Sequence, residues 1–127
     1  MNWRHFGLLA FSLILSVGCQ TRLSDEKTYT LDSADIKTLI VDGVPREREL
    51  KVTATADNPV SLYVYLEADK AEVEPKIDVD VASDKVLAHA KDSKEVELTA
   101  TIPSSETAMI DVKTKTDGTT VTVKLSD

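Results

Sequence analysis

The stretch that decides the fold class is residues 50–67, LKVTATADNPVSLYVYLE. Apolar and polar side chains alternate from Leu50 to Ala56, and apolar side chains recur at every second position from Val60. Because successive side chains of a strand point to opposite faces, each run offers one face suited to a core. The dipeptide Asn58-Pro59 between the runs is typical of a turn. The stretch therefore predicts two antiparallel strands packed on a core.

The same period of two extends over most of the remaining chain. Asp42-Gly43 and Asp117-Gly118 mark turns, and residues 116–119, TDGT, predict a hairpin with a type I′ turn. The only candidate helix is 67–74, which Pro75 should end. Strands are predicted at 28–31, 36–41, 48–56, 60–67, 76–81, 85–90, 94–102, 107–115 and 119–125.

About seven to nine short strands in one domain predict an all-β fold, a single antiparallel two-layer β-sandwich. The architecture is Ig-like or jelly-roll-like, without the Cys…Trp…Cys framework of immunoglobulin domains. Ile102-Pro103, which leads into two Val/Thr-rich strands, resembles the small sandwich modules of secreted bacterial proteins. That resemblance implies no functional residue.

The first 18 residues have a different pattern. Arg4 precedes twelve mainly apolar residues, Phe6 to Val17, and the chain becomes polar directly after Cys19. This order is typical of a secretory signal peptide. Twelve residues are fewer than the roughly 20 that a membrane-spanning helix needs.

Leu15 to Cys19, LSVGC, resembles the bacterial lipobox, in which a small residue precedes a lipid-modified cysteine. Ser16 holds the position at which this family prefers Leu. The resemblance implies a lipoprotein that is cleaved before Cys19 and carries acyl chains such as palmitate on that residue. Cys19 is the only cysteine of the chain and cannot form an internal disulfide, which favours the same interpretation.

These observations divide the chain into three parts. Residues 1–18 are the predicted signal peptide, 19–27 the lipidated cysteine with a flexible tether, and 28–127 the β-sandwich domain. A protein with several acyl chains is held stably at a membrane. Gln20, in place of an Asp after the cysteine, implies by the same resemblance the outer membrane if the organism has one.

The charge balance restricts the partners. The chain carries 22 acidic and 15 basic residues, with a net charge of −7. Such a surface disfavours nucleic acid, which requires a basic footprint. We expect a membrane contact through the lipid, an unidentified protein or glycan partner, and no cofactor.

Tyr63 and Tyr65 are the candidate contact residues. If Leu62 and Val64 face the core, both tyrosine rings stand on the opposite face of the strand. Exposed aromatics spaced in this way can stack on a sugar or anchor a partner protein. Alternatively, they shield the sheet against a neighbouring strand or against residues 67–75.

Two further functions are open alternatives. Carboxylates crowd residues 69–84, and Asp78 and Asp80 on one strand face, with Asp84, are the candidate ligands of a calcium-dependent binding module. A solvated face interleaved with lysines fits the same residues. A small hydrolase would depend on His89, but no Gly-x-Ser-x-Gly motif accompanies it. The sequence therefore predicts no catalytic residue and favours a non-enzymatic module.

Overall fold

The structure, a computed structural model, describes residues 22–127. The predicted signal peptide and Cys19 lie outside the described residues. Within the described range, no helix has the length and apolar character needed to cross a membrane.

The described chain folds into six antiparallel strands, a short 3₁₀ turn and one α-helix. All strand pairs are antiparallel. The strand order is β1-β6-β3-β5-β2, and β4 pairs with the edge of β3 opposite to β6 and β5. The elements are β1 (Ser24–Leu31), β2 (Ile36–Val41), β3 (Arg48–Leu66), the 3₁₀ turn (Glu67–Asp69), α1 (Lys70–Asp78), β4 (Ala88–Ile102), β5 (Ala108–Thr114) and β6 (Thr119–Ser126).

Strand β3 is long because it belongs to both layers of the molecule. Residues 51–56 pair with β6, whereas residues 60–66 pair with β5. Strand β4 follows β3 along its whole length, with register shifts between Thr55 and Val60 and between Val60 and Leu62. The two long strands therefore pass from one layer to the other at this irregular segment.

We call the β1, β6, 48–56 and 95–102 segments the first layer, and the β2, β5, 60–66 and 88–93 segments the second layer. Their inner faces share one hydrophobic core, which includes Leu50, Val52, Leu62 and Val64. The predicted β-sandwich is confirmed. The six strands supply eight segments because β3 and β4 each count in both layers.

The predicted turn at Asn58-Pro59 is wrong, because these residues lie inside β3. Proline lacks an amide hydrogen and is tolerated in sheets at bulges, where β3 changes partners. Polar groups support the bend: Thr114 Oγ1 donates to the Pro59 carbonyl at 3.0 Å, and Thr120 N donates to Asp57 Oδ1 at 2.9 Å. The predicted strands 85–90 and 94–102 likewise merge into one strand, β4, which begins at Ala88 and leaves residues 85–87 in the preceding loop.

The predicted strand at 76–81 is also wrong, because α1 continues to Asp78. Val73 and Ile77 are four residues apart on one helix face and are fully buried. Each buried side chain of this size contributes about 1.5–3 kcal/mol, which offsets the roughly 3 kcal/mol that an interior proline such as Pro75 costs.

Two smaller expectations also change. Strand β1 begins at Ser24 and pairs residue by residue with β6, so residues 24–27 belong to the sheet and not to the tether. In the hairpin between β5 and β6, only Gly118 of the two central residues has a positive φ, 72°. A type I′ turn requires positive φ at both, so that turn type is wrong.

Candidate binding cavity

The outer face of the second layer is covered by α1. Tyr63, Tyr65 and Met109 form a second hydrophobic cluster there with Val73 and Ile77 of the helix. Both tyrosines do point away from the main core, as their alternation with Leu62 and Val64 predicts. However, Tyr65 is 0% and Tyr63 5% exposed, so the expectation of two exposed contact rings is wrong. Their alternative role, shielding the sheet against the segment after residue 67, is what the structure shows.

A buried carboxyl group lies beside these rings. Asp111 is fully buried and accepts hydrogen bonds from Thr38 Oγ1 at 2.7 Å and from Tyr65 Oη at 3.0 Å. Burial, which disfavours the charged form, raises the pKa of Asp111 above its ordinary value. Burial and the neighbouring Asp111 likewise raise the pKa of Tyr65 well above 10. This network fixes the polar tip of Tyr65 beneath α1.

The end of α1 redirects the chain. The Asp80 amide bonds to the Ile77 carbonyl at 3.2 Å and the Val81 amide to the Lys76 carbonyl at 2.8 Å. These bonds form a Schellman motif with Asp80 in the left-handed position, φ 57°. Residues 79–87 consequently leave the helix axis and return to the sheet, where the Leu87 amide bonds to the Val64 carbonyl at 2.8 Å.

A cavity of about 160 Å³ lies between this returning loop, α1 and the sheet. Buried Tyr63 and Ile77 form its floor, and exposed Val81, His89 and Lys91 lie at its rim. The complete lining is Tyr63, Ile77, Val81, Ala82, Ser83, Val86, His89 and Lys91.

The Tyr63 hydroxyl group is an unusual polar atom of the face that α1 covers. It is buried and makes no hydrogen bond to any residue of 22–127. Ser61, two residues away on the same face, accepts a bond from the Asp92 amide at 3.1 Å. Leaving a buried polar group unpaired costs about 1–3 kcal/mol. Burial and the nearby Asp80 carboxylate raise the pKa of Tyr63 against the opposite effect of the Ser61 side chain near its hydroxyl, so the hydroxyl stays protonated.

Two ion pairs lie near the cavity. Lys113 Nζ lies 3.2 Å from Asp80 Oδ1 and donates to the Ile77 carbonyl at 2.8 Å. Lys115 Nζ lies 3.5 Å from Asp92 Oδ2. The hydrogen bond from Lys113 lowers the pKa of Asp80. Lys91 at the rim is exposed and forms no ion pair within residues 22–127, so the rim carries one positive charge beyond these pairs.

The structure separates the candidate calcium ligands. Asp78 ends α1, Asp80 occupies the left-handed position and pairs with Lys113, and Asp84 lies in the following loop. The predicted shared strand face of Asp78 and Asp80 is wrong, because residue 78 is helical. Within residues 22–127, no group of three or more acidic, histidine or cysteine side chains is placed to hold a metal ion.

His89 is exposed at the start of β4 and stacks on Tyr63. Their ring centroids are 6.3 Å apart and the ring planes differ by 12°. The two residues are cross-strand partners in the register of β3 and β4. This geometry gives His89 an aromatic partner at the cavity rim, and no hydrogen bond links its ring to a carboxylate within the described residues.

The outer face of the first layer has no comparable cover among the described residues. It displays threonines and exposed ion pairs, such as Lys51 with Glu97 at 3.6 Å and Lys124 with Glu26 at 3.4 Å. Thr28 and Thr122 share a hydrogen bond of 3.0 Å across β1 and β6. Isolated exposed ion pairs contribute about 0–1 kcal/mol, so those on this face add little to the stability of the fold.

The sequence indicated Tyr63 as a candidate contact residue and His89 as the residue on which a hydrolase would depend, but it did not predict the other cavity residues. Val81, Ala82, Val86 and Lys91 come together because the loop after α1 folds back on the sheet. No short-range pattern encodes that contact. One feature of the sequence does indicate the contact of α1 with the sheet. The i, i+4 spacing of Val73 and Ile77 is typical of an apolar helix face that packs against the rest of the domain.

Comparisons with known proteins establish the fold. No protein-family model matches the sequence, and no curated protein matches it. A Yersinia pseudotuberculosis-derived mitogen is similar in structure, with a TM-score of 0.57 at 10% identity, over 84% of this chain and 86% of that chain. The pre-peptidase C-terminal domain of a Bacillus anthracis collagenase is similar with a TM-score of 0.54 at 11% identity, over 80% and 89%. At such identities these likenesses show a shared β-sandwich fold and no shared activity.

Proposed function

We propose that this protein is a bacterial lipoprotein whose β-sandwich binds a partner in the cell envelope and catalyses no reaction. The observation that carries the proposal is the spacing between the lone Cys19 and the first strand. A signal-like segment ends at Cys19, and β1 begins at Ser24.

This spacing makes the tether short. Five residue steps of extended chain span at most about 18 Å. Lipid on Cys19 would therefore hold the sandwich close to the membrane surface. Several acyl chains would make that attachment stable. Gln20 after the cysteine favours the outer membrane.

The attachment would leave the cavity accessible. The tether joins β1, which pairs only with β6 in the first layer. The cavity lies on the outer face of the second layer, beyond the shared core. A partner in the envelope, protein or glycan, could thus approach the cavity while the first layer is tethered.

The side chains support binding more than catalysis. His89 is the only histidine of residues 22–127 and is stacked on a tyrosine. The most buried carboxyl group, Asp111, is held by Thr38 and Tyr65 beneath α1 and has no access to solvent. Neither arrangement presents a base beside a nucleophile.

Metabolic labelling tests the anchor. Cells expressing the wild-type protein with radiolabelled palmitate should yield a labelled band that fractionates with membranes. Cys19→Ser should lose the label and leave the membrane fraction. Ser16→Leu is the matched control: it restores the residue that the lipobox family prefers and should keep the label. Equal labelling of the wild type and Cys19→Ser would overturn the proposal.

A further inference from the structure

The cavity between the 79–87 loop, α1 and the sheet has room for one ring. Its volume of about 160 Å³ compares with cavities of about 150 Å³ that bind benzene. Ile77 and Val86 give it apolar walls, and Tyr63 with its stacked partner His89 adds aromatic ones. A ligand that fits therefore has a compact, largely apolar body.

The loop over this cavity exposes apolar side chains to water. Within residues 22–127, four large apolar side chains are exposed, and three of them, Val79, Val81 and Leu87, belong to this loop. Val81 lines the cavity itself and is 53% exposed. Clustered apolar side chains at the surface are typical of a binding site. The loop therefore extends the apolar lining of the cavity to its mouth.

The rim adds one positive charge to this apolar site. Lys91 is the only lysine, arginine, aspartate or glutamate among the described residues that line the cavity. It is exposed and forms no ion pair within residues 22–127. Its ammonium group is therefore free to approach an anionic group of a ligand at the mouth, where water hydrates both charges and their desolvation costs little.

Two carboxylates near the cavity do not cancel this charge. Asp80 Oδ1 lies 3.2 Å from Lys113 Nζ, and Asp92 Oδ2 lies 3.5 Å from Lys115 Nζ. Each of these acidic side chains is balanced by its own lysine, which leaves the charge of Lys91 in excess at the rim. Because opposite charges attract, the rim favours an organic anion over an organic cation of the same shape.

We propose that this cavity binds a small organic anion whose ring-sized apolar body packs on Ile77, Val81 and Val86 and whose carboxylate lies at Lys91. The inference rests on the proposed function, because it names the chemical class that the binding module takes up. The hydroxyl group of Ser83 also lines the cavity and can donate a hydrogen bond to an oxygen of the ligand.

Benzoate and benzamide, which match in shape and differ in charge, test the contribution of Lys91. Both are titrated into the purified full-length protein at low salt, and the amide NMR signals of Ala82, Ser83 and Val86 report binding. We expect benzoate to bind about threefold more tightly than benzamide, the effect of one exposed ion pair. The preference should vanish at about 1 M salt, where the screening length is about 3 Å. Acetate, which lacks the ring, should not shift the three signals at the same concentrations.

Lys91→Gln should remove the preference for benzoate and keep the binding of benzamide. Lys91→Arg keeps the positive charge and should keep the preference. Lys94→Gln is the matched control, because Lys94 is an exposed lysine of the same strand that does not line the cavity. It changes the net charge by the same amount as Lys91→Gln and should keep the preference.

A second pair of variants tests the apolar wall. Val81→Ser should weaken the binding of both probes about threefold, the effect of losing roughly one buried methyl group, and leave the ratio of their affinities unchanged. Val79→Ser is the control: Val79 is 66% exposed and does not line the cavity, so both affinities should stay as in the wild type. Melting temperatures verify that all variants are folded.

The inference is overturned if benzoate does not shift the three signals, if benzamide binds the wild type as tightly as benzoate, or if Lys91→Gln keeps the preference. A preference lost equally in Lys94→Gln, or affinities unchanged in Val81→Ser, also overturns it. The titrations are repeated on Cys19→Ser. If labelling shows no lipid but both proteins prefer benzoate, the anchor proposal fails and the cavity proposal stands. If the wild type carries lipid but does not bind benzoate, only the cavity proposal fails.

Discussion

The two layers of this sandwich share one core but differ in their outer faces. The first layer exposes threonines and ion pairs such as Lys51 with Glu97. The second layer carries Tyr63, Tyr65 and Met109 and is covered by α1. Strand β3 contributes to both faces, so the difference arises within one continuous strand. The polar outer face of the first layer is exposed to solvent. The apolar outer face of the second layer is covered by α1, and the cavity lies beside that helix.

The largest effect on stability is expected when the contact between α1 and the second layer is weakened. Ile77→Ala should lower the free energy of unfolding by about 2–4 kcal/mol, because it removes a fully buried side chain between α1 and the sheet. Val79→Ala, two residues on, is the control: Val79 is 66% exposed and should change stability by less than about 0.5 kcal/mol. Urea denaturation measures both values. Equal losses would show that α1 does not depend on this contact.

The covered face should also give stability a pH dependence through Asp111. Its pKa is raised in the folded protein by burial. The folded state therefore binds this proton more tightly than the unfolded state does. The associated stability is complete below the ordinary value of 3.8 and is lost as the pH rises through the raised pKa.

Asp111→Asn should accordingly lose stability relative to the wild type as the pH is lowered from 7 towards 4. Asp117→Asn is the control of opposite sign, because the Ser33 backbone amide lowers the pKa of exposed Asp117. Its contribution is present above the ordinary value and is lost below it. Denaturation at a series of pH values measures both. A wild-type and Asp111→Asn difference that does not vary with pH would contradict the prediction.

The smallest effect is expected on the uncovered face. Thr55→Ala, at an exposed position of β3, should change the free energy of unfolding by about 0.5 kcal/mol or less. The same substitution at Thr114 should cost more, about 1–2 kcal/mol. Thr114 is 3% exposed and donates to the Pro59 carbonyl at the bend of β3. Thr114 shares the inner face of β5 with Ile110 and Val112, so similar losses at the two positions would show that its buried contact at the bend does not stabilise the fold.

Local patterns in the sequence were sufficient for the fold class. Alternation at 36–41 and 119–125 predicted strands close to their observed bounds because a one-sided core imposes a period of two. The continuity of β3 was not predictable from Asn58-Pro59, since this dipeptide suits a turn and a bulge equally. The choice between a turn and a bulge depends on tertiary pairing: β3 pairs with β6 before this dipeptide and with β5 after it.

The covered face was encoded more clearly than our prediction stated. Residues 60–66, VSLYVYL, are apolar on both faces except for Ser61, a pattern typical of a strand buried on both sides. The alternating IDVDV of residues 77–81 suggested a strand instead. Because Val73 and Ile77 are buried against the sheet, the first two residues of this stretch, 77 and 78, are helical instead. The cavity itself depends on where the 79–87 loop returns, which no local pattern specifies.

The passage of β3 and β4 through both layers has a consequence for folding. Neither layer can be completed while these strands are unformed in the other, because each layer consists half of segments from the same two strands. The pairing of β1 with β6 joins residues about a hundred positions apart, such as Ser24 and Ser126. Sheets dominated by such distant pairs fold slowly, in milliseconds to seconds. We therefore expect the two layers to unfold together in a single cooperative transition.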